Sequence, residues 1–198
     1  MGFCNMLSRL VLNKMMEGER PRLVLVFDPK GPTFRHKMYP AYKANRGECP
    51  VDLIPQFELV REAAKAFGIP LIEAPTFEAD DVIATLATMA RQEGLDTNIL
   101  SSDKDLWQLV TNKTDTPVVH MIDPMSMERV THDRVVEKWG CEPHQLGDIL
   151  ALAGDTADNI PGVPGSGPKI AASLIQDYVN LENLLDNLDS IKQNARRQ

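Results

Sequence analysis

The chain has 198 residues, of which 43% are hydrophobic and 25% are charged, and its formal net charge is −7 at pH 7. This composition is that of a globular protein and excludes a disordered or collagen-like chain. An acidic balance argues against a nucleic-acid partner unless the acids are concentrated in one place, because phosphate binding favours a basic surface.

Cysteine usage and the N-terminal residues bear on the cellular compartment. Cys4, Cys49 and Cys141 are far apart in sequence, which favours a reducing compartment and argues against disulfides or a zinc site. No apolar run approaches the roughly 18 residues of a membrane span, and Met1–Met16 lacks the cleavage site of a secretory signal. We therefore expect an intracellular protein without a membrane partner, cytoplasmic if bacterial and mitochondrial or plastid if eukaryotic.

Four short apolar runs predict buried strands. They are Leu23–Phe27, Pro70–Ala74, Thr97–Ser101 and Val118–Ile122. Helical patterns lie between them, at Ile54–Phe67 and along an apolar stripe from Val82 to Ala90. Strands that alternate with helices at this spacing predict an α/β domain with a mostly parallel sheet covered by helices.

Beyond about Arg129 the strand pattern is lost and helical patterns take over. The predicted helices are Thr131–Trp139, Pro143–Ala153, Pro168–Tyr178 and Leu181–Ile191, and the polar tail Lys192–Gln198 is predicted to fray. The sequence therefore predicts an α/β domain over 1–130 and a helical module over 131–198.

Eight acidic residues stand at ends of predicted strands or starts of helices. They are Asp28, Glu78, Asp80, Asp81, Asp103, Asp105, Asp155 and Asp158. In a parallel sheet such positions meet along one edge, where eight carboxylates would repel strongly without divalent cations. Mg²⁺ and Mn²⁺ prefer oxygen ligands, and two such ions about 4 Å apart can clamp a phosphodiester. Without these eight charges the net charge of −7 becomes about +1, so nucleic acid returns as a candidate partner.

A structural interpretation of these acids stays open. Acidic residues are favoured in the first turn of a helix, and Asp103 would serve as an ordinary N-cap. Three acids within Glu78-Ala-Asp80-Asp81 nevertheless exceed what a helix start needs.

A basic segment, Lys30–Arg46, follows Asp28 with five Lys or Arg residues, three aromatic residues and no acid. Cations interleaved with aromatic rings suit a phosphate backbone with stacked or unpaired bases. Arg35 and Arg46 could each pair with phosphate through two donors, and Lys43 could act as a point charge. The alternative is a solvated surface loop whose tyrosines pack on their own domain.

A hairpin rich in Gly and Pro joins two of the predicted helices. Gly162, Gly165 and Gly167 would let the backbone approach a phosphate closely. Pro168 and Lys169 would open the next helix with its N-terminus toward an anion. Such a hairpin grips duplex backbone without reading sequence, and the alternative is an ordinary tight turn.

Five motifs in chain order resemble one known family. They are Phe27-Asp28, the segment from Phe34 to Arg46, Glu78-Ala-Asp80-Asp81-Val-Ile, Ser102-Asp103-Lys-Asp105, and Gly154-Asp155-x-x-Asp158-Asn-Ile-Pro-Gly-Val-Pro-Gly-x-Gly. Together they resemble the 5′–3′ exonuclease domain of bacterial DNA polymerase I and its stand-alone relatives in the flap endonuclease superfamily. The resemblance runs from about Phe3 to Ile191.

The resemblance implies a PIN-like α/β fold with a helix–three-turn–helix module, of the helix–hairpin–helix type, that binds DNA. It implies hydrolysis of DNA at 5′ ends, flaps and nicks during replication and repair, with two Mg²⁺ or Mn²⁺ ions held by the eight acids named above. It assigns catalytic roles to Lys43, Arg35 and Tyr42. DNA contacts are assigned to these three, to Arg46, and to the hairpin residues Gly162, Gly165, Gly167 and Lys169, where some members hold a potassium ion. No protein partner can be inferred from it.

One departure from the family keeps other functions in view. Members usually begin with a further strand that carries an Asp-Gly motif, whereas this sequence opens on the helix-like stretch Gly2–Leu12. We therefore expect an α/β domain that is N-terminally truncated relative to the family and lacks one metal ligand. The alternatives are a catalytically impaired protein that binds DNA junctions and a small-molecule phosphohydrolase, which the duplex-gripping hairpin argues against.

Overall fold

The computed structural model describes residues 2–16 and 22–191, so the predicted fraying of the tail lies outside the described residues. The chain divides into two compact units. The first contains the residues up to Met38 together with Gly47–Ile83, and the second contains Tyr39–Arg46 and the residues from Ala84 onward. The domain boundary predicted at residue 130 stays a prediction, because the two units are divided at other residues.

The first unit is built on a short pair of parallel strands. Its elements are α1 (Gly2–Met16), β1 (Leu25–Val26), α2 (Phe34–Met38), α3 (Ile54–Ala66), β2 (Leu71–Ile72) and the start of α4 (Ala79–Gln92). Leu25 lies opposite Leu71, and the Phe27 N–H donates to the Ile72 carbonyl at 3.0 Å. The pairing therefore continues to the residue before Asp28 and fixes where that carboxylate leaves the strand.

The second unit contains a three-stranded sheet. Its strands are β3 (Thr97–Leu100), β4 (Val119–Ile122) and β5 (Arg129–Val130), with β3 and β4 parallel and β5 antiparallel to β4. The sequence did not predict β5. Asp123 explains it, since its carboxylate accepts the Met125 and Ser126 N–H groups and closes the turn that brings the chain back along β4.

After β5 the second unit is mainly helical, and it includes most of the helices that the sequence predicted. They are α5 (His132–Trp139), α6 (Leu146–Ala153), α7 (Pro168–Tyr178) and α8 (Leu181–Asp186). Between α6 and α7 the chain also forms an antiparallel pair, β6 (Gly154–Asp155) and β7 (Ile160–Pro161), where no strand was predicted. The core of this part is formed by Cys141, Ile149, Leu152, Ala171, Ala172, Ile175, Leu184 and Ile191.

Among the described helices, none has both the length and the apolar character that crossing a membrane requires.

Candidate functional site

In the first unit, the acid that follows β1 meets the acids that begin α4. The Asp28 Oδ1 atom accepts the backbone N–H of Ala79, the first residue of α4, at 2.8 Å. Glu78, one residue earlier, is only 7% exposed. The strand end and the helix start therefore meet through the backbone in this unit, and the shared metal role predicted for these acids stays a prediction.

Arg35 occupies both oxygens of one of these acids. Its two terminal nitrogens donate to the Asp81 carboxylate at 2.7 and 2.8 Å, and one of them also lies 3.4 Å from a Glu78 oxygen. Asp81 Oδ2 additionally accepts the Glu78 backbone N–H at 2.9 Å. The guanidinium carbon lies 4.7 Å from the centre of the Phe34 ring, which adds a cation–π contact. Arg35, which is predicted to contact phosphate, is thus bound to Asp81, which is predicted to bind metal.

In the second unit, four carboxylates influence one another. The pKa of Asp105 is raised to about 6, first by burial and then by the negative charges of Asp103, Asp155 and Asp158, against an opposing effect of Lys43. The Asp103 carboxylate accepts the Asp105 backbone N–H at 2.9 Å. The part of this shift that comes from the three neighbouring acids reflects negative charge that a cation would neutralise.

Part of the basic segment belongs to this second unit and is bound to Asp158. We call the residues Tyr39–Arg46 the tethered stretch and the residues Asp155–Asn159 the acidic loop. Asp158 Oδ2 accepts the Tyr42 hydroxyl at 2.9 Å and lies 3.7 Å from Lys43 Nζ. Its Oδ1 atom accepts Arg46 Nη2 at 2.5 Å. One carboxylate therefore holds three of the four residues predicted to contact DNA from the basic segment.

The same contacts fix the conformations of Tyr42 and Lys43. Tyr42 is 5% exposed, so its ring is packed within the protein rather than open to a base. Lys43 has a φ of 56°, which is unusual for a residue with a side chain, and its N–H donates to the Asp158 carbonyl at 2.9 Å. The predicted roles of both residues stay predictions.

Two asparagines that sequence reasoning did not select complete this connection. Asn159 Nδ2 donates to the Ala41 carbonyl and Asn45 Nδ2 donates to the Thr156 carbonyl, each at 2.7 Å. Asn159 also has a φ of 58°, a conformation that Asn tolerates better than most residues. Its position directly after Asp158, in a turn rich in short polar residues, was the available signal.

The Gly-Pro hairpin requires two of its glycines for close backbone approach. Gly154 has a φ of +75°, and a Cβ there would lie 2.2 Å from the Gly162 nitrogen. A Cβ on Gly162 would lie 2.2 Å from the Ala153 carbonyl oxygen. Gly165 has a φ of +78°, which favours glycine for a different reason. Glycine is thus required at three positions by the backbone of the hairpin itself.

The hairpin leads directly into the N-terminus of α7. Gly167 is the N-cap residue, Pro168 opens the helix, and Lys169 in the first turn is exposed. Ser166 is 3% exposed, and its Oγ atom has no hydrogen-bond partner within residues 2–16 and 22–191. A buried hydroxyl without a partner is costly, so it is available to a ligand.

The chemistry of the acids fits a divalent cation, and their arrangement fits it only in part. An all-carboxylate donor set suits a hard cation, and Asp103, Asp155 and Asp158 add to the effect of burial in raising the pKa of Asp105. No three Asp, Glu, His or Cys side chains in the described part of the chain are placed so that they could hold a metal ion together. In this arrangement Asp81 is paired with Arg35, and Asp158 is paired with Arg46 and Lys43, so the ligand role predicted for these two acids stays a prediction.

Three features are typical of metal-dependent nucleases. They are an α/β domain with carboxylates after its strands, basic residues bound to those carboxylates, and a Gly-Pro hairpin before a helix. Comparison with known families agrees. The N-terminal resolvase-like domain of 5′-3′ exonucleases matches residues 1–140, and the C-terminal SAM fold of 5′-3′ exonucleases matches residues 141–198. The chain belongs to the 5′-3′ exonuclease family. The predicted family and the predicted fold, an α/β domain followed by a helical module, are confirmed.

Bacterial relatives cover the chain almost completely. It is 48% identical over 200 residues to DNA polymerase I of Rhizobium leguminosarum, with all of this chain and 19% of the relative aligned. It is 43% identical over 197 residues to a 5′-3′ exonuclease of Aquifex aeolicus, with 99% of this chain and 65% of the relative aligned. The chain therefore spans about a fifth of the first relative and just under two thirds of the second.

Solved structures support the fold. T5 5′-exonuclease, in a structure described as having divalent metal ions (zinc) bound, superposes with a TM-score of 0.80 at 23% identity and covers 98% of this chain and 74% of its own. The catalytic core of Rad2 in complex with DNA substrate gives a TM-score of 0.57 at 24% identity and covers 96% of this chain and 56% of its own. At these identities the likeness concerns the fold alone.

Proposed function

We propose that this chain is a metal-dependent, structure-specific 5′ nuclease that hydrolyses DNA phosphodiesters as a 5′–3′ exonuclease and 5′-flap endonuclease. The observation that carries the proposal is the pairing of predicted metal acids with predicted phosphate-binding cations, Arg35 with Asp81 and Lys43 and Arg46 with Asp158. Membership of the 5′-3′ exonuclease family supports it. The bacterial relatives favour a bacterial cytoplasm as the compartment and replication or repair as the process.

The cofactor we propose is Mg²⁺ or Mn²⁺, as two ions. The residues that would hold them are Asp28, Glu78, Asp80 and Asp81 in the first unit and Asp103, Asp105, Asp155 and Asp158 in the second. Carboxylate oxygens suit these hard cations better than zinc, which prefers nitrogen and sulfur ligands. When bound, such ions lower the pKa of water and neutralise the charge that develops on the phosphoryl group.

The protein's own cations would orient the substrate phosphate. Lys43 offers a point charge, and Arg46 offers a planar pair of donors whose side chain is 56% exposed. These donors are fixed before substrate arrives, because Asp158 and the backbone of the acidic loop already hold them. Donors held in place stabilise developing negative charge without the cost of reorganising solvent.

The hairpin would grip the duplex part of a flap or nicked substrate. The N-terminus of α7, where the helix dipole is positive, and the exposed Lys169 suit a phosphate. Gly165 and Gly167 leave open space for it, whereas Gly162 packs on the Ala153 backbone and keeps the hairpin in shape. Contact of this kind with phosphate carries no sequence information. A potassium ion is our proposal for the hairpin's cation, with the unpartnered Ser166 hydroxyl as one of its oxygen donors.

The test is cleavage of a 5′-labelled flap duplex by the purified chain, with Mg²⁺, Mn²⁺ and EDTA compared. We expect short 5′ products that EDTA abolishes. Asp80→Asn should remove cleavage yet leave flap binding within a few-fold, because it removes a proposed metal ligand and no proposed DNA contact. Glu73→Gln is the matched control, since Glu73 is an exposed acid of the same unit that pairs with Arg61 at 2.8 Å. Equal loss of binding and cleavage in Asp80→Asn would refute the assigned role.

A second candidate function is a DNA-junction binder with impaired catalysis. The observation that favours it is the lack of any group of three metal-binding side chains within the described residues. It predicts flap binding in Ca²⁺ and no product in Mg²⁺ or Mn²⁺, so the same assay separates the two functions.

A further inference from the structure

Three exposed basic residues of the second unit lie close together beside the acids that follow β3. Lys104 stands between Asp103 and Asp105 in the sequence. Arg134 and Lys138 are four positions apart on α5, which places them on one face of that helix. We propose that Lys104, Arg134 and Lys138, which we call the cationic cluster, bind a phosphate of the DNA backbone. The inference rests on the proposed function for the identity of the ligand, and it adds a contact to those of the basic segment and the hairpin.

Trp107 brings the two lysines of the cluster together. It belongs to a short 3₁₀ helix, Asp105–Leu109, and its N–H donates to the Lys104 carbonyl at 3.0 Å. Side chains three residues apart are eclipsed in such a helix, so Lys104 and Trp107 share one side of it. From α5, Lys138 Nζ lies 4.8 Å from the centre of the Trp107 ring. The two ammonium groups therefore converge at this ring.

No carboxylate neutralises these two ammonium groups within residues 2–16 and 22–191. Neither Lys104 nor Lys138 has an Asp or Glu oxygen within 4.0 Å there. Arg134 pairs with Glu137 at 2.8 Å, but both of these side chains are more than half exposed. An exposed pair of this kind is weak, so Arg134 is free to exchange its carboxylate for a phosphate.

The charges of the cluster oppose one another. The pKa of Lys138 is lowered, first by burial and then by the positive charges of Lys104 and Arg134. The part of this shift that comes from the two neighbouring cations reflects positive charge that an anion would neutralise. Because the chain as a whole carries a net charge of −7, an overall excess of basic residues does not account for this concentration of cations.

The cluster suits a phosphate of the DNA backbone and does not suit a base. Trp107 is only 8% exposed and Lys138 lies over its ring, so the ring is not open for stacking. Ammonium and guanidinium groups are donors only, and they match the acceptor oxygens of a phosphate. Since Lys104 is flanked by Asp103 and Asp105, the phosphate bound here would be a near neighbour of the one that the proposed metal ions contact. Such a contact positions the strand and reads no sequence.

The test is binding of a fluorescent 5′-flap duplex in Ca²⁺ at several salt concentrations, with a variant that combines Lys104→Gln and Lys138→Gln. Loss of one phosphate contact should lower the slope of log affinity against log salt concentration by about 0.9. At about 0.1 M salt the affinity should fall about three- to tenfold. Lys138→Arg should keep most of the affinity, because it keeps the charge.

The matched control removes two charges from the same unit where each is already paired. Arg91 lies 3.5 Å from Asp115, and Lys113 lies 3.8 Å from Asp133. A variant that combines Arg91→Gln and Lys113→Gln has the same net charge as the test variant. It should bind with nearly the affinity and the salt slope of the wild type. Equal losses in the two variants would overturn the proposal, because they would reflect net charge alone.

Thermal stability separates a binding role from a structural one. Lys104→Gln removes one of the repelling charges and leaves the contact between Lys138 and Trp107 in place. We therefore expect its Tm to equal or exceed that of the wild type while its DNA affinity falls. A lower Tm would show that the Lys104 charge stabilises the fold, and it would overturn the proposal.

Inorganic phosphate distinguishes a DNA contact from a site for free anions. The Tm of the wild type and of the variant lacking both lysines is compared in phosphate and in chloride at equal ionic strength. If phosphate raises only the wild-type Tm while both proteins bind flap DNA with the same affinity and slope, the site serves free anions and the proposal is overturned. None of these measurements needs cleavage, so a wild type that binds flap DNA without cutting it would refute the proposed nuclease and leave this contact standing.

Discussion

Replacing Gly162 by alanine tests the hairpin most directly. The new Cβ would lie 2.2 Å from the Ala153 carbonyl oxygen and 2.6 Å from the Gly154 nitrogen, and both atoms are backbone. Ordinary contact needs roughly 3.4 Å or more, so the two segments would separate by about 1 Å. That shift removes the β6–β7 pairing and the bond from the Val163 N–H to the Leu152 carbonyl, which is 2.8 Å long. Together these losses should lower the free energy of unfolding by about 3 kcal/mol.

The assay is urea denaturation followed by tryptophan fluorescence. Gly167→Ala is the control in the same hairpin, because a Cβ there meets nothing within 4 Å and the residue has a φ of −68°. We expect the control to stay within about 0.5 kcal/mol of the wild type. Under conditions where Gly162→Ala is still folded, its affinity for nicked duplex should also fall. A Gly162→Ala protein as stable as the wild type would show that the hairpin backbone does not need this close approach.

Three further predictions concern an ion pair, a histidine and the core. A double-mutant cycle of Arg35→Gln and Asp81→Asn should give a coupling energy of about 1–2 kcal/mol, since both terminal nitrogens of the guanidinium donate to the carboxylate. A coupling energy indistinguishable from zero in urea denaturation would contradict this. Hydrogen bonding to Glu142 raises the pKa of His132 in the folded state. The pair therefore stabilises the fold fully below the unfolded-state pKa of about 6.5. This stabilisation is lost as the pH rises through the higher folded-state pKa. His132→Gln should therefore lower the Tm more at about pH 5.5 than at about pH 9, and an equal loss at both would count against the charged pair. Ile175→Ala, which leaves a cavity at a fully buried position, should cost about 2–5 kcal/mol in the same denaturation assay, and a loss below about 1 kcal/mol would mean that the core refills the space.

Much of the fold was predictable because its signals are local. Apolar runs marked β3 and β4, and helical spacing with Pro at the first position marked α7, whose bounds match the predicted ones. The strands β5, β6 and β7 escaped prediction because, unlike the equally short β1 and β2, they do not lie within an apolar run. Turns and close contacts of glycine backbone set their positions instead. The alternation of apolar and polar residues that marks a strand gives no sign of these turns and contacts.

The candidate site was predictable in composition but not in its contacts. Residue type and spacing selected Asp81 and Asp158 as acids and Arg35 and Arg46 as cations. The sequence contains no local signal that pairs them, because the partners stand 46 and 112 positions apart. Only tertiary folding decides which carboxylate faces which cation.

The separation between the tethered stretch and the acidic loop also has a consequence for experiments that shorten the chain. Tyr42 and Asp158 are 116 positions apart, so at about ten residues per second the ribosome makes the stretch roughly ten seconds before the carboxylate that receives it. A protein that ends before Asp155 would keep every cation of the stretch and lose the groups that orient them. Weak DNA binding by such a shortened protein would therefore not show that the DNA contacts lie in the C-terminal part, since the deletion also removes the groups that orient Lys43 and Arg46.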